Sequence, residues 1–239
     1  MNLENKLAKS QTAFENWKTV PFTEKQKLLQ KLASLLEKDA EKFGKIITQE
    51  MNKPITQSIS EVQKCALMTR YYAEAENILK PEKIKTEFRV SEIHSVPKGV
   101  ILGVMPWNFP FWQALRFAVP AILAGNTIVL KHASICFGSG NMIEKLFLKA
   151  GFPKGVFQNL EIGHEDVKKV LENPIIKGVS LTGSEKAGAE VASIAGKNIK
   201  KSLLELGGSD AFIVLDDADF KKAAAMSTYF DYLLPKVMN

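Results

Sequence analysis

Apolar positions in the first eighty residues recur at helical spacing. Leu28, Leu29, Leu32, Leu35 and Leu36 lie three or four apart and form one apolar stripe. Thr23 followed by Gln26 is a capping-box pattern that predicts the start of that helix. Asp39 is placed to cap a second helix ending before Pro54. A third, over residues 55–79, turns Val62, Cys65, Ala66, Met68 and Tyr72 inward, so Cys65 reads as core rather than nucleophile. Pro81 ends the helical run. Phe88, Val90, Ile93 and Val96 then alternate with polar residues, predicting a β-ribbon over 86–97.

From Gly99 the period changes. Short apolar runs at 100–104, 127–130, 156–160, 178–181, 202–204 and 211–215 read as strands. Amphipathic stretches at 111–123, 136–150, 164–171 and 185–195 read as helices between them. Short strands alternating with helices of this length predict βαβ units and a parallel sheet, whose ligands sit at the carboxyl ends of the strands. The fold class is α/β, with N-terminal helices ahead of the sheet.

Composition narrows the function classes. The 239 residues are 46% hydrophobic and 24% charged, with a net charge of +6. The positive charge is nearly all lysine, since Arg70, Arg89 and Arg116 are the only arginines. Lysines alternate with acids, as in Glu37-Lys38-Asp39-Ala40-Glu41-Lys42, which reads as solvated helix faces and not as a nucleic-acid surface. Two cysteines without a secretory signal make no disulfide framework. The most apolar stretch, 109–125, is broken by Pro110, Arg116 and Pro120 and is too short to span a bilayer. The expectation is a cytoplasmic protein with neither membrane nor nucleic-acid partners.

Three loops at predicted strand ends carry chemistry. Met105-Pro106-Trp107-Asn108-Phe109-Pro110 is stiffened by two prolines, and Asn108 either aims its amide at developing negative charge or caps the next helix. Thr182-Gly183-Ser184 turns into a helix N-terminus, where backbone amides suit a phosphate or Ser184 makes an ordinary N-cap. Glu205-Leu206-Gly207-Gly208 puts a carboxylate beside two glycines, as a general base or a surface acid at a tight turn. The glycine-rich dinucleotide fingerprint is absent; Gly138-Ser139-Gly140 falls inside a predicted helix.

Read in order, these loops resemble the NAD(P)-dependent aldehyde dehydrogenase family, from about residue 1 to residue 228, and Lys131-His132-Ala133-Ser134 fits a further segment of it. The resemblance implies a Rossmann-like coenzyme-binding domain. Residues 1–80 are its N-terminal helical part, 81–98 part of an oligomerisation ribbon, 99–228 the sheet domain and 229–239 a non-family tail. It implies that Asn108 is the oxyanion-hole amide and Glu205 the general base. It places Lys131 on the adenosine ribose, and Gly183 and Ser184 on the pyrophosphate. Pro106, Trp107, Thr182, Leu206 and Gly207 complete the coenzyme contacts, while Trp107 and Phe109 wall the tunnel. Family members that use NAD often carry glutamate where this chain has Ser134, so the resemblance favours NADP or use of both coenzymes. Arg116 matches an arginine that holds the distal carboxylate in succinate-semialdehyde dehydrogenases; a plain helix-surface charge is its other reading. The implied substrate is a small aldehyde, and the implied whole protein a homo-oligomer.

The family's reaction uses a cysteine nucleophile. At the corresponding distance from Glu205 this chain has Asn239, and residues 229–239 do not resemble the family's segment. Cys65 and Cys136 are expected to lie away from the reacting centre. The chain alone is therefore expected to be inactive. It would be completed by a second polypeptide, act as an NAD(P)-binding module, or be a fragment of an interrupted gene. Apolar surface left exposed would make it poorly soluble.

Overall fold

The computed structural model describes residues 2–76, 78–208 and 211–233, with side chains of 228–233 left aside. Four helices open the chain: α1 (Leu3–Trp17), α2 (Phe22–Lys38), α3 (Ala40–Met51) and α4 (Ile55–Glu74). Leu29, Leu32 and Leu36 of α2 pack with Phe43 and Ile47 of α3 and Val62 and Cys65 of α4, so the apolar stripe buries as the pattern predicts.

Several boundaries differ from expectation. Helix α2 starts at Phe22 with Pro21 as its cap residue, because proline enters a first turn without losing a needed N–H. Thr23 is thus already inside the helix, and Gln26 donates instead to the Ala75 carbonyl at 2.9 Å. Asp39 is the single residue between α2 and α3, but its backbone is not extended and its side chain makes no cap bond; it accepts from Lys149 at 3.3 Å. Helix α4 stops at Glu74, five residues before the expected end at Leu79. The ribbon is two antiparallel strands of two residues each, β1 (Glu82–Lys83) and β2 (Glu92–Ile93), so it begins before Thr86.

The remaining elements alternate: β3 (Val100–Met105), α5 (Pro110–Leu123), β4 (Thr127–His132), α6 (Phe137–Ala150), β5 (Phe157–Leu160), α7 (Glu165–Glu172), β6 (Ile176–Thr182), α8 (Glu185–Lys197), β7 (Lys201–Glu205) and α9 (Phe220–Leu233). The five strands β3–β7 form one parallel sheet in the order β5-β4-β3-β6-β7. Strand β4 is buried along its whole length, which is why it reads as a continuous apolar run. One face of the sheet packs on α2–α6; the other takes α7 and α8, with α1 giving Trp17 to the first core and Leu7 to the second. A Cβ at Gly103 would stand 2.7 Å from the Phe117 ring, so the glycine sets how closely α5 lies on β3.

Two expectations at the C-terminal end meet different outcomes. Residues 211–215 join neither sheet, although their composition is that of a strand. Phe212, Ile213, Val214 and Leu215 are all exposed there, and an apolar run forms a strand only when a neighbour supplies its backbone partners. Of the tail expected at 229–239, residues 229–233 continue α9 and 234–239 lie outside the described residues.

The chain crosses from β5 on one side of β3 to β6 on the other. In an open parallel sheet that reversal opens a crevice at the carboxyl ends of the two central strands. Here those ends are Met105 and Thr182.

Candidate functional site

The loop leaving β3 is fixed from three directions. Beneath it, Lys53 Nζ lies 2.6 Å from Glu61 Oε2 and donates to the Asn108 carbonyl at 3.1 Å. Glu61 Oε1 accepts the backbone N–H groups of Phe111 and Trp112 at 2.9 and 3.0 Å, so a carboxylate from α4 caps the start of α5. The pair is buried, and burial raises the Glu61 carboxyl while lowering the Lys53 ammonium; each partner and the two backbone amides oppose this. Bonded at this distance, with the carboxylate's other oxygen satisfied, the ionised pair is the form that the geometry favours. From β4, His132 Nε2 lies 2.9 Å from the Pro110 carbonyl, and Nδ1 accepts from the Ala133 amide at 2.9 Å. Those partners assign the neutral ring with its proton on Nε2, and burial pushes its pKa down to about 4. From the turn before α6, the Cys136 thiol lies 3.8 Å from the Trp107 carbonyl. Cys136 is thus next to the Asn108 loop and not away from it, because a 3₁₀ turn at Ser134–Cys136 folds the chain back. Burial pushes its thiol up to about 12, so it remains unreactive.

Across the crevice, Ser184 caps α8 by accepting from Ala187 N at 3.3 Å. The Gly183 amide donates to the Glu205 carbonyl at 3.0 Å, which ties this turn to the end of β7. The Ser184 hydroxyl and the Gly183 amide are therefore both engaged, and the amides of the first turn of α8 are the ones a helix start leaves without intrahelical acceptors. Arg116, on α5, reaches over to both segments: its guanidinium lies 3.6 Å from Glu205 Oε2 and 3.5 Å from Thr182 Oγ1. Leu206 lies against α8, where a Cβ at Gly188 would meet it at 2.6 Å.

Two adjoining cavities fill the crevice and share Pro106, Trp107, Thr182 and Gly183 as a common wall. One, of about 600 Å³, holds Lys131 and Ser134 among apolar residues of β3, α7 and α8. The other, of about 750 Å³, brings together Asn108, Arg116, Ser184, Glu205, Leu206 and Gly207. Phe109, expected as a tunnel wall, lines neither; its ring lies under the Lys53 ammonium at 3.4 Å to the centroid. Lys53, Glu61, His132 and His164 are functional neighbours that the sequence reading did not single out. No motif marks Lys53, Glu61 or His164, and His132 falls inside a quoted segment without being given a role of its own; Lys53 lies in the turn between α3 and α4 and Glu61 on α4, among charged residues that elsewhere read as solvated. Among the described residues no cluster of three or more His, Cys, Asp or Glu is placed to hold a metal, and no helix is long and apolar enough to cross a membrane.

Comparison with known proteins bears on this arrangement directly. The sequence profile of the aldehyde dehydrogenase family matches residues 1–232. The chain belongs to the aldehyde dehydrogenase family. It is 48% identical over 219 residues to a probable NADP(+) succinate-semialdehyde dehydrogenase of Synechocystis sp., covering 91% of this chain and 48% of that protein. It is 40% identical over 223 residues to an NADP(+) succinate-semialdehyde dehydrogenase of Deinococcus radiodurans, covering 92% and 47%. The crystal structure of succinic semialdehyde dehydrogenase from Streptococcus pyogenes, a complex with NADP+, superposes with a TM-score of 0.88 at 40% identity, over 92% of this chain and 49% of that one. The chain spans about half the length of the curated relatives it matches. The aldehyde dehydrogenase resemblance and the α/β fold read from the sequence are both borne out.

Proposed function

We propose that this chain supplies the coenzyme-binding half of an NAD(P)-dependent oxidation of an aldehyde to its acid, with succinate semialdehyde as substrate. The observation that carries the reading is the two-lobed crevice at the sheet's switch point. Lys131 stands in one lobe, and Asn108, Arg116 and Glu205 stand in the other. A dinucleotide is a two-headed ligand and fits such a cleft. The lobes match its chemistry: an apolar slot with a buried ammonium for the adenosine end, and a polar, charged lobe for the reacting end. NADP is the favoured coenzyme, since Ser134 adds no negative charge near Lys131 and relatives named for NADP(+) are similar over nine-tenths of the chain.

The coenzyme, when bound, takes up the hydride. This chain's own residues do the rest of the positioning. Asn108 lines the reacting lobe on a loop that the protein interior holds in place, which suits stabilisation of a developing oxyanion by its amide. Glu205 is half-exposed at the lobe's edge, within reach of water as a general base must be. Arg116 links the two sides and is placed to leave Glu205 for a substrate carboxylate, a better bidentate partner than its present contact at 3.6 Å. The β1–β2 ribbon, with Ile84, Phe88, Val90 and Ile93 exposed, serves as a contact between copies in the whole protein. A polypeptide bringing a nucleophilic thiol would complete the reacting lobe. A coenzyme-binding module without chemistry is the second reading, favoured by the two cysteines, both buried and both with thiols held protonated.

Calorimetric titration of the purified chain with NADP and NAD tests the proposal. Saturable one-site binding that is lost in Lys131→Ala is the expected result, and no heat with either coenzyme overturns it. In the whole protein, Arg116→Ala should raise KM for succinate semialdehyde by about a hundredfold while leaving KM for an uncharged aldehyde of the same length nearly unchanged. Equal effects on both aldehydes would remove Arg116 from substrate recognition.

A further inference from the structure

The buried pair beneath the Asn108 loop does more than cap a helix. Helix α5 has no side-chain cap of its own at Phe109, and Glu61 Oε1 supplies one from α4. That bond accounts for the carboxylate but not for Lys53. Burying an ammonium is costly, and an ion pair of this kind adds little net stability over an apolar pair of the same volume. What Lys53 adds is a bond to Asn108 itself, from Nζ to the backbone carbonyl at 3.1 Å.

The backbone presets Lys53 for this bond. It lies in the turn Asn52-Lys53-Pro54 between α3 and α4. Asn52 ends α3 in the left-handed region, at φ 57°, and Pro54 restricts the residue before it to extended backbone. The ammonium then stands between Glu61 Oε2 at 2.6 Å and the Phe109 ring at 3.4 Å to the centroid. Together the two side chains touch residues 108, 109, 111 and 112. They are 6% and 4% exposed and line neither cavity, so they meet no ligand there. Asn108, at the end of these contacts, does line the reacting lobe.

We propose that Lys53 and Glu61 are positioning residues for the reaction: their ion pair fixes the Asn108 backbone and thereby keeps the Asn108 amide where it stabilises the developing oxyanion. A donor moved by about 1 Å loses much of its effect on a developing charge, at a cost of order a hundredfold in rate. The inference rests on the reading of Asn108 given above, and the two can fail separately.

The test is a double-mutant cycle in the whole protein, with succinate semialdehyde as substrate. Lys53→Met/Glu61→Gln removes both charges and keeps an amide oxygen where Oε1 caps α5, so the fold is retained. It should lower kcat by about thirtyfold and leave KM for aldehyde and coenzyme within about threefold. Asn108→Ala should lower kcat by about a hundredfold or more. In the Asn108→Ala background the paired substitution should change kcat by less than about twofold, because the donor it positions is gone. Glu61→Gln alone, which keeps the cap and loses the ion pair, enters the same cycle if the double variant does not fold; about fivefold is expected, and again almost nothing without Asn108. In the chain itself, the Asn108 side-chain amide should give one pair of NMR signals that broadens or splits in the variant. Equal losses with and without Asn108, an unchanged kcat, or unchanged Asn108 signals overturn the inference. If Asn108→Ala leaves kcat unchanged, the reading of Asn108 fails and takes the inference with it.

Discussion

Asn108 and Glu205 face the same cavity but are held in opposite ways. The Asn108 loop is tied to the interior by Lys53, Glu61, His132 and Cys136, all four of them buried and each from a different element or turn. Glu205 ends an edge strand whose outward residues alternate between exposed and half-buried, and its carboxylate is 51% exposed. Leu203 of the same strand, and Ile213, Leu215 and Phe220 after it, are all more than half exposed. One wall of the site is preorganised by the packing of this chain. The other has a single neighbouring strand, β6, with α8 against it. A preorganised dipole is effective because it needs no rearrangement when charge develops, so the division matches the two proposed roles: an amide that must not move, and a base that must meet water.

The largest expected effect breaks the firm wall. Glu61→Ala leaves Lys53 buried without its partner and the first amides of α5 without a cap, and should cost about 3–5 kcal/mol in urea unfolding. Glu205→Ala, removing half of an exposed pair, should cost at most about 1 kcal/mol by the same measurement. If the two costs were equal, the asymmetry would be wrong. The Lys53→Ala/Glu61→Ala double variant should cost less than the sum of its single variants, since the two residues act as one unit.

Acid should probe the same wall. His132 is neutral in the folded state, with a pKa near 4 against an ordinary value near 6.5. A depressed folded pKa gives stability that is present above the ordinary value and lost as pH falls through the folded one. Unfolding free energy should thus drop by roughly 3 kcal/mol between about pH 6.5 and pH 4, and His132→Asn should flatten that slope.

Glycines sharpen the comparison at a smaller scale. Gly103→Ala forces a methyl against Phe117 and should destabilise by about 1–3 kcal/mol. Gly207→Ala meets nothing within 4 Å and should change stability by less than about 0.5 kcal/mol. Ile213→Ser should be as mild in urea, but it should reduce the chain's self-association in light scattering, because it removes exposed apolar surface.

Much of the firm region was legible in the sequence, and the reason is burial. Strands β3 and β4 are buried along nearly their whole length and open on apolar runs, which stand out without any knowledge of pairing order, and Gly138 to Gly140 lie inside α6 as read. The same signal misled at 211–215, where apolar residues stay exposed and no strand forms. The site was legible only in part. Asn108, Lys131, Thr182 and Glu205 sit at strand ends, where topology brings them together. Lys53 and Glu61 were illegible because a buried ion pair and a solvated one have the same composition, and only the third dimension shows that Glu61 caps a helix fifty residues away. The contact of His164 with Lys131 was hidden for a related reason, since it joins the end of β4 to the residue before α7.

Hydrogen exchange tests the central claim most directly. In the chain without coenzyme, the amides of Phe111, Trp112 and Ala133 should exchange slowly, while those of Leu206, Gly207 and Gly208 exchange fast. NADP should then slow the second group and leave the first unchanged. If the Asn108 loop and its anchors exchanged as fast as Leu206 to Gly208, and slowed only when NADP was added, the site would be assembled by the coenzyme and the preformed wall would not exist.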